Sequence, residues 1–393
     1  MTASPSDKQK YRLVLDAGTT GIKALVLDEQ ENLVAKDYQA ISTARPETGR
    51  AEQDPQQILS AAVEVIRRAV SASAIPPKEF IGFAITNQRE TSLIWHKKTG
   101  QPLYPAIIWE DTRTTILCEA WQKNFGEEVR QKTGLPCDPY FSAPKIHWTL
   151  DHVPEAQKAR QEKQLLWGTL DSWLIWNLTE GHPHLTDQTN ASRTLLFNIH
   201  DKKWDKKLLE IFNLPADILP KVKPSASHYG KLNQEIIGAE LPLLAVCGDQ
   251  QASMFAAGAK TGTTKVTFGT GTFIMQIIDD HFQLIDGFFT TLTPGEAKSV
   301  FALEATINKG GADVEPLLKN PQALEEFLWQ LARDVDKIIK QLPIKPKEII
   351  IDGGVTRDGI LARIQPTISN LPVIEQKIFD GTALGAARLI PSK

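Results

Sequence analysis

A chain of 393 residues, 41% hydrophobic and 23% charged, is long enough for two domains with full cores and has the balance of an ordinary soluble globular protein. Its formal net charge of −3 offers no broad basic surface, which argues against nucleic acid or an anionic membrane as the main partner. No apolar run reaches the length of a membrane span, the first twelve residues lack a signal-peptide core, and Cys118, Cys137 and Cys247 are scattered as buried reduced thiols would be, so a cytoplasmic location is expected.

Residues 12–16 (RLVLD) are apolar and β-prone, residues 17–21 (AGTTG) form a tight polar turn, and residues 23–28 (KALVLD) make a second strand. Residues 32–38 can add a third. Residues 56–71 place Ile58, Ala61, Ala62, Val65, Ile66 and Ala69 at helical spacing, and residues 80–86 (FIGFAIT) read as a buried strand. The order of three strands, helix, strand predicts a sheet with helices packed on it. Directly after the fourth strand comes Asn87-Gln88-Arg89-Glu90-Thr91, where ligand-facing residues of open α/β sheets are commonly found.

Residues 92–109 suggest a hairpin turning at 98–101, and residues 134–148 (GLPCDPYFSAPKIHW) read as loop, broken by Pro136 and Pro139. Residues 165–178 (LLWGTLDSWLIWNL) suggest one apolar helix, with Trp167, Trp173 and Trp176 in the core. His182 and His184, with Asp187 close by, make only a weak metal pattern, since such groups in a polar loop are usually solvated. A domain boundary is expected between residues 238 and 239.

The richest stretch is 241–278 (LPLLAVCGDQQASMFAAGAKTGTTKVTFGTGTFIMQII). Asp249 ends a strand-like run, and Gly269-Thr270-Gly271-Thr272 turns inside a second apolar run. A carboxylate of this kind suits a general base, and a Gly/Thr turn offers N–H groups and hydroxyls to phosphate. The strand, Gly/Thr turn, strand device thus occurs twice, at the start of each half, which implies two related domains that grip a phosphate in the cleft between them. No stretch has P-loop spacing, so phosphate binding of that type is excluded. Residues 323–341 predict an amphipathic helix, residues 348–352 a strand before Gly353-Gly354, and residues 381–387 (GTALGAA) a small-residue helix that lets backbones approach.

These residues carry a resemblance. DAGTTGIKA from Asp16, ITNQRETSLIWHKKTGQPLYPAIIWEDTRT from Ile85, GLPCDPYFSAPKIHW from Gly134, GTLDSWLIWNLT from Gly168, TDQTNASRTLLFNIH from Thr186, CGDQQASMF from Cys247, FGTGTF from Phe268, FALE from Phe301, DGG from Asp352 and GTALGAA from Gly381 resemble the FGGY carbohydrate kinases, over residues 11 to 388. The resemblance implies an α/β fold of duplicated actin-like (ribonuclease H-like) domains, 1–238 binding polyol and 239–393 binding nucleotide. It is strongest to members that phosphorylate glycerol with ATP. It implies that Arg89, Glu90, Trp109, Tyr140, Asp249, Gln250 and Phe273 surround the polyol, with Asp249 as the catalytic base. Thr19, Thr20, Gly269 and Thr270 would then bind phosphates, Gly311, Gly353 and Gly354 would let backbone approach the nucleoside, and Asp16 would hold Mg²⁺ directly or through water.

The chain departs from the family pattern mainly in its second half. Between residues 315 and 323 a short connector replaces a long family segment, and the chain stops soon after the last motif. Asp358-Gly359 stands where an Asn pair is common, Asp380 replaces a Glu, and Ala17 replaces a Gln. The polyol half is complete and the ATP half reduced. The expected activity is ATP-dependent phosphorylation of glycerol to glycerol 3-phosphate; another small polyol or ketose as acceptor, and a weakly catalytic glycerol-binding protein, are the alternatives. A homo-oligomer is left open by the sequence.

Overall fold

Strands Tyr11–Ala17 (β1) and Gly21–Leu27 (β2) are apolar almost throughout and buried along nearly their whole length, the pattern of strands covered on both faces. In this computed structural model, which describes residues 10–269, 271–295, 298–356, 359–376 and 380–391, they pair antiparallel, and β2 pairs antiparallel with Leu33–Ala40 (β3). Exposed Leu33, Val34 and Tyr38 mark β3 as an edge. The helix Pro55–Ser73 begins behind Asp54, whose carboxylate accepts the Gln56 N–H, with a proline pre-set at its first position. It buries the predicted apolar stripe against β2 and β3.

Phe80–Asn87 (β4) runs parallel to β1, placing Thr86 beside Asp16. Ala226–Leu232 (β5) and Leu241–Gly248 (β6) complete a six-stranded sheet of order β5-β6-β4-β1-β2-β3, with β6 parallel to β4. A smaller four-stranded sheet holds Ser92–His96 against Leu165–Thr169.

That pairing corrects one expectation. Residues 165–178 are a strand followed by the helix Leu170–Leu178, not one helix, because the backbone of residues 165–169 is claimed by the sheet. The three tryptophans are nonetheless core residues, Trp173 meeting Trp95 edge-on at 5.5 Å. A second correction concerns residues 134–148, whose latter part opens the helix Ser142–His152. Pro144 lies in its first turn, where a missing N–H breaks no helical bond.

The second half repeats the plan. Thr264–Phe268 (β7), Thr272–Asp279 (β8), Phe289–Pro294 (β9), Ser299–Ile307 (β10), Ile349–Asp352 (β11) and Val373–Glu375 (β12) form a sheet of order β9-β10-β8-β7-β11-β12. Leaving out β5 and β9, the two sheets share one five-strand order and one set of directions: a three-stranded antiparallel meander, then two strands parallel to its first member. This is the duplicated ribonuclease H-like α/β fold. The amphipathic helix Pro321–Ile339 is present as expected.

The chain divides into two compact units, residues 1–252 with 382–393, and residues 253–381. The boundary expected at 238/239 precedes β6, but β6 belongs to the first sheet, with Val246 beside Ile85 and Gly248 beside Asn87. The closing helix Gly381–Arg388 packs so closely on the first unit that only glycine fits at 385: a Cβ there would lie 1.7 Å from the Ala252 carbonyl oxygen. All three cysteines are free and buried, and no described helix is long and apolar enough to cross a membrane.

Candidate active site

In the first unit β1, β4 and β6 end together, and charged residues directly follow β4 and β6. β6 stops at Gly248 and Asp249 opens the helix Asp249–Ala257; β4 stops at Asn87, followed by Gln88, Arg89 and Glu90. Glu90 has φ of 61°, a left-handed conformation that costs energy for a side-chain-bearing residue and is retained where surroundings over-determine it. Here those surroundings are two guanidinium groups. Arg193 Nε donates to Glu90 Oε1 at 2.5 Å, and Arg89 Nε lies 3.8 Å from the same oxygen and 3.3 Å from Asp249 Oδ1.

Arg89 and Glu90 are 3% and 1% exposed, whereas the Asp249 side chain keeps 29% of its surface open. Burial pushes the Asp249 carboxyl up to about 7; Arg89 opposes the rise, and Glu90 adds to it. The Gln250 N–H donates to Asp249 Oδ1 at 2.7 Å. A carboxyl that titrates near neutrality, open on one side and directed by an arginine, is suited to take a proton from an alcohol.

Aromatic side chains form one wall. Trp109 and Tyr140 meet edge to face at 5.8 Å, and the Arg193 guanidinium lies over Tyr140 at 5.4 Å and Phe141 at 5.0 Å. Trp109 Nε1 donates to Thr19 Oγ1 at 2.9 Å, and that hydroxyl donates to Gln88 Oε1 at 3.0 Å. The Thr19 side chain thus ties the first hairpin to the aromatic wall. The Tyr140 loop is held by Lys145, whose buried ammonium donates to the carbonyls of Tyr140 and Phe141. Burial lowers the Lys145 ammonium to about 8, against the pull of Glu90 and Asp111.

Sequence reasoning assigned no role to Arg193 or Lys145. The signal was there for Arg193: an arginine inside Ala191-Ser192-Arg193-Thr194-Leu195-Leu196 is buried by its apolar flanks, and a buried guanidinium requires a carboxylate partner. Nothing in the sequence says that the partner is Glu90, a hundred residues away.

The second unit has the other hairpin. The Gly269 N–H donates to the Gly271 carbonyl at 2.9 Å, and the Gly311 N–H to the Gly269 carbonyl at 2.7 Å. Gly353, at φ 108°, presses on the same strand end, where a Cβ would lie 2.3 Å from the Phe268 carbonyl oxygen. Gly269, Gly311 and Gly353 are thus brought together, with Gly354 next in the chain. Beneath them Lys265 Nζ donates to Asp352 Oδ1 at 2.5 Å in a buried ion pair. Phe273 lies on β8 beside Thr267. Thr270 and Asp358 lie outside the described residues.

Thr20 is exposed at the tip of the first hairpin, its carbonyl accepting the Tyr38 hydroxyl. Asp16 is 5% exposed and paired with Lys23 at 3.0 Å. His184 Nε2 meets the Trp167 carbonyl at 2.8 Å, and burial lowers its imidazole to about 4. Among the described residues no group of three His, Cys, Asp or Glu is placed to hold a metal ion.

Residues 11–256 match the FGGY family of carbohydrate kinases, N-terminal domain. Glycerol kinase 2 of Thermotoga maritima is 35% identical over 442 aligned positions, which take in 97% of this chain and 89% of that protein. Glycerol kinase of Alkaliphilus oremlandii is 36% identical, over 97% of this chain and 88% of its own. The crystal structure of Plasmodium falciparum glycerol kinase with ADP superposes with a TM-score of 0.88 at 27% identity, covering 98% of this chain and 90% of that one. The 442 aligned positions outnumber the 393 residues of this chain, so the relative carries internal residues that this chain lacks. With one fold repeated in both halves, a buried Arg–Glu pair beside a partly open Asp at the end of the first sheet, and identity of this extent, the chain belongs to the FGGY family of carbohydrate kinases.

Proposed function

We propose that this protein transfers the γ-phosphoryl group of ATP to a terminal hydroxyl of glycerol, giving glycerol 3-phosphate and ADP. The observation that carries the reading is Asp249: a carboxyl at the end of β6, in reach of Arg89, open to the site and titrating near 7. Glu90 accepts from neighbouring hydroxyls, Arg89 and Tyr140 donate to them, and Trp109 and Phe273 cover the carbon edge, with Gln250 beside the base. Such a site rejects analogues that lack a hydroxyl, because its buried partners are then left unpaired. As the terminal oxygen attacks phosphorus in line, its proton passes to Asp249 and the bond to the ADP oxygen breaks.

The glycine-lined turn of the second unit suits a nucleotide, with Thr20, the Thr19 N–H, Gly269 and Thr270 for phosphates and Gly311, Gly353 and Gly354 for close backbone approach. Asp16 is a single carboxylate already sharing a cation, which fits Mg²⁺ held jointly with nucleotide phosphates better than an ion caged by protein. When bound, that ion neutralises phosphate charge. The polyol and nucleotide roles are assigned to residues 1–238 and 239–393, with β6 contributed to the first sheet and Asp249, directly after it, to the polyol side.

The test is phosphorylation of a panel of polyols and ketoses by the purified chain with ATP and Mg²⁺, the product identified. Glycerol should be the best acceptor. The rate should rise with pH through an apparent pKa near 7, since Asp249 must be ionised to take the proton and is protonated below that value. Glycerol binding without turnover would favour the weakly catalytic reading, for which the missing internal residues are the motive.

A further inference from the structure

The segment Thr186–Thr194 takes part in no step above and meets the site only through Arg193, yet its side chains hold the backbone on both sides of the site. Asp187, fully buried, caps the short helix Gln188–Ala191. Its carboxylate accepts the N–H groups of Thr189 and Asn190, each at 2.9 Å, and the hydroxyls of Thr189 and Ser225, each at 2.7 Å. With its proton given to Asp187, the Thr189 oxygen is an acceptor, and it receives the Gly248 N–H at 2.8 Å. Gly248 is the residue directly before Asp249.

The next residue reaches the other strand. Asn190 and Asn87 exchange side-chain amide bonds at 3.0 and 3.1 Å, and Asn87 Nδ2 also donates to the Gln88 carbonyl at 2.7 Å, in the peptide that leads into Arg89. Thr189, Asn190 and Asn87 are all fully buried. Apolar side chains of the same shape would fill this space but leave the buried Gly248 N–H without its acceptor. Directional bonds instead fix where each strand lets its chain leave.

We propose that Thr189 and Asn190 are positioning residues: Thr189 sets the start of the Asp249 helix and so the aim of the base, and Asn190 sets the exit of β4 and so Arg89 and Glu90. This rests on the kinase reading above. Thr189→Val keeps the shape and removes the acceptor, whereas Thr189→Ser keeps the acceptor.

On glycerol, Thr189→Val should lower kcat about tenfold or more with KM changed by no more than about threefold, and Thr189→Ser should stay within about twofold of the parent. Asn190→Ala should raise the KM for glycerol about tenfold and lower kcat less. In the unliganded protein, hydrogen exchange should show lost protection at the Gly248 amide in Thr189→Val and retained protection in Thr189→Ser. A lowered melting temperature with parental kcat and KM in Thr189→Val would overturn the proposal, as would unchanged Gly248 protection. If the parent phosphorylates no polyol, the kinase reading fails by itself, while the exchange measurement still decides the positioning. Should Thr189→Val not fold, Thr189→Ala is read in its place.

Discussion

In the first sheet the end of β1 is surrounded by side chains: Thr19 is engaged by Trp109 and Gln88, Gln53 donates to the Thr19 carbonyl at 2.7 Å, and Arg89 and Glu90 fill the exit of the neighbouring parallel strand. In the second sheet the matching end of β7 is surrounded by backbone: Gly269, Gly311 and Gly353 meet there, and the exit of β11 is Gly353-Gly354. The buried carboxylate changes strand between the two. Asp16 lies on β1 in register with Thr86 of the parallel strand, whereas Asp352 lies on the parallel strand in register with Thr267 of β7. Each has its lysine, Lys23 or Lys265. One topology thus supports two kinds of site. Side chains at a strand exit discriminate among small ligands by shape and hydrogen bonding, and bare backbone admits a large ligand closely.

The comparison breaks most sharply at Asp249. Asp249→Asn keeps shape and hydrogen bonding but accepts no proton, so turnover should fall on the order of 10²-fold or more, with glycerol affinity by calorimetry within a few-fold. Near-parental turnover would remove Asp249 from the role of base. The same substitution reports on stability. The raised carboxyl stays protonated in the folded chain while its unfolded counterpart ionises, so the parent loses stability as pH climbs from about 4 to about 7. Melting temperatures over that range should therefore move in favour of the Asn variant with rising pH.

Gly353→Ala tests the other half. A methyl group 2.3 Å from the Phe268 carbonyl oxygen, on backbone at φ 108°, must push β7 and β11 apart. Affinity for a non-hydrolysable ATP analogue with Mg²⁺ should fall about 10- to 100-fold, with glycerol affinity unchanged. Equal loss of both affinities would mean that the two sites are not furnished separately. The smallest effect is expected at the link inside the first unit. Trp109→Phe keeps a ring against Tyr140 and loses only the bond to Thr19, so the KM for glycerol should rise about fivefold.

Of the architecture, both hairpins, the helix over residues 56–71 and the strand over residues 80–86 were legible, because each is a local pattern of apolar spacing. The family, and with it the proposal of Arg89, Glu90, Trp109, Tyr140 and Asp249 for the acceptor side, comes from a long collinear run of motifs. Residues 165–169 were misread because an apolar run with tryptophans carries no local mark of strand or helix; pairing with Ser92–His96 decides it. The place of β6 has a similar cause, since it is assigned to the first sheet by the partner it finds, not by its own composition.

The sequence by itself determined most of the elements and their duplication, and it named the candidates for the reacting groups, since these depend on residue type and on spacing within a few turns of chain. Only the tertiary structure decided which distant groups act together: Arg193 with Glu90, Thr189 with Gly248, Asn190 with Asn87, and Lys265 with Asp352. The physical reason is burial. A charged or polar group taken out of water must find a partner, and the partner it finds is set by where two strands end in space, not by how far apart they lie along the chain.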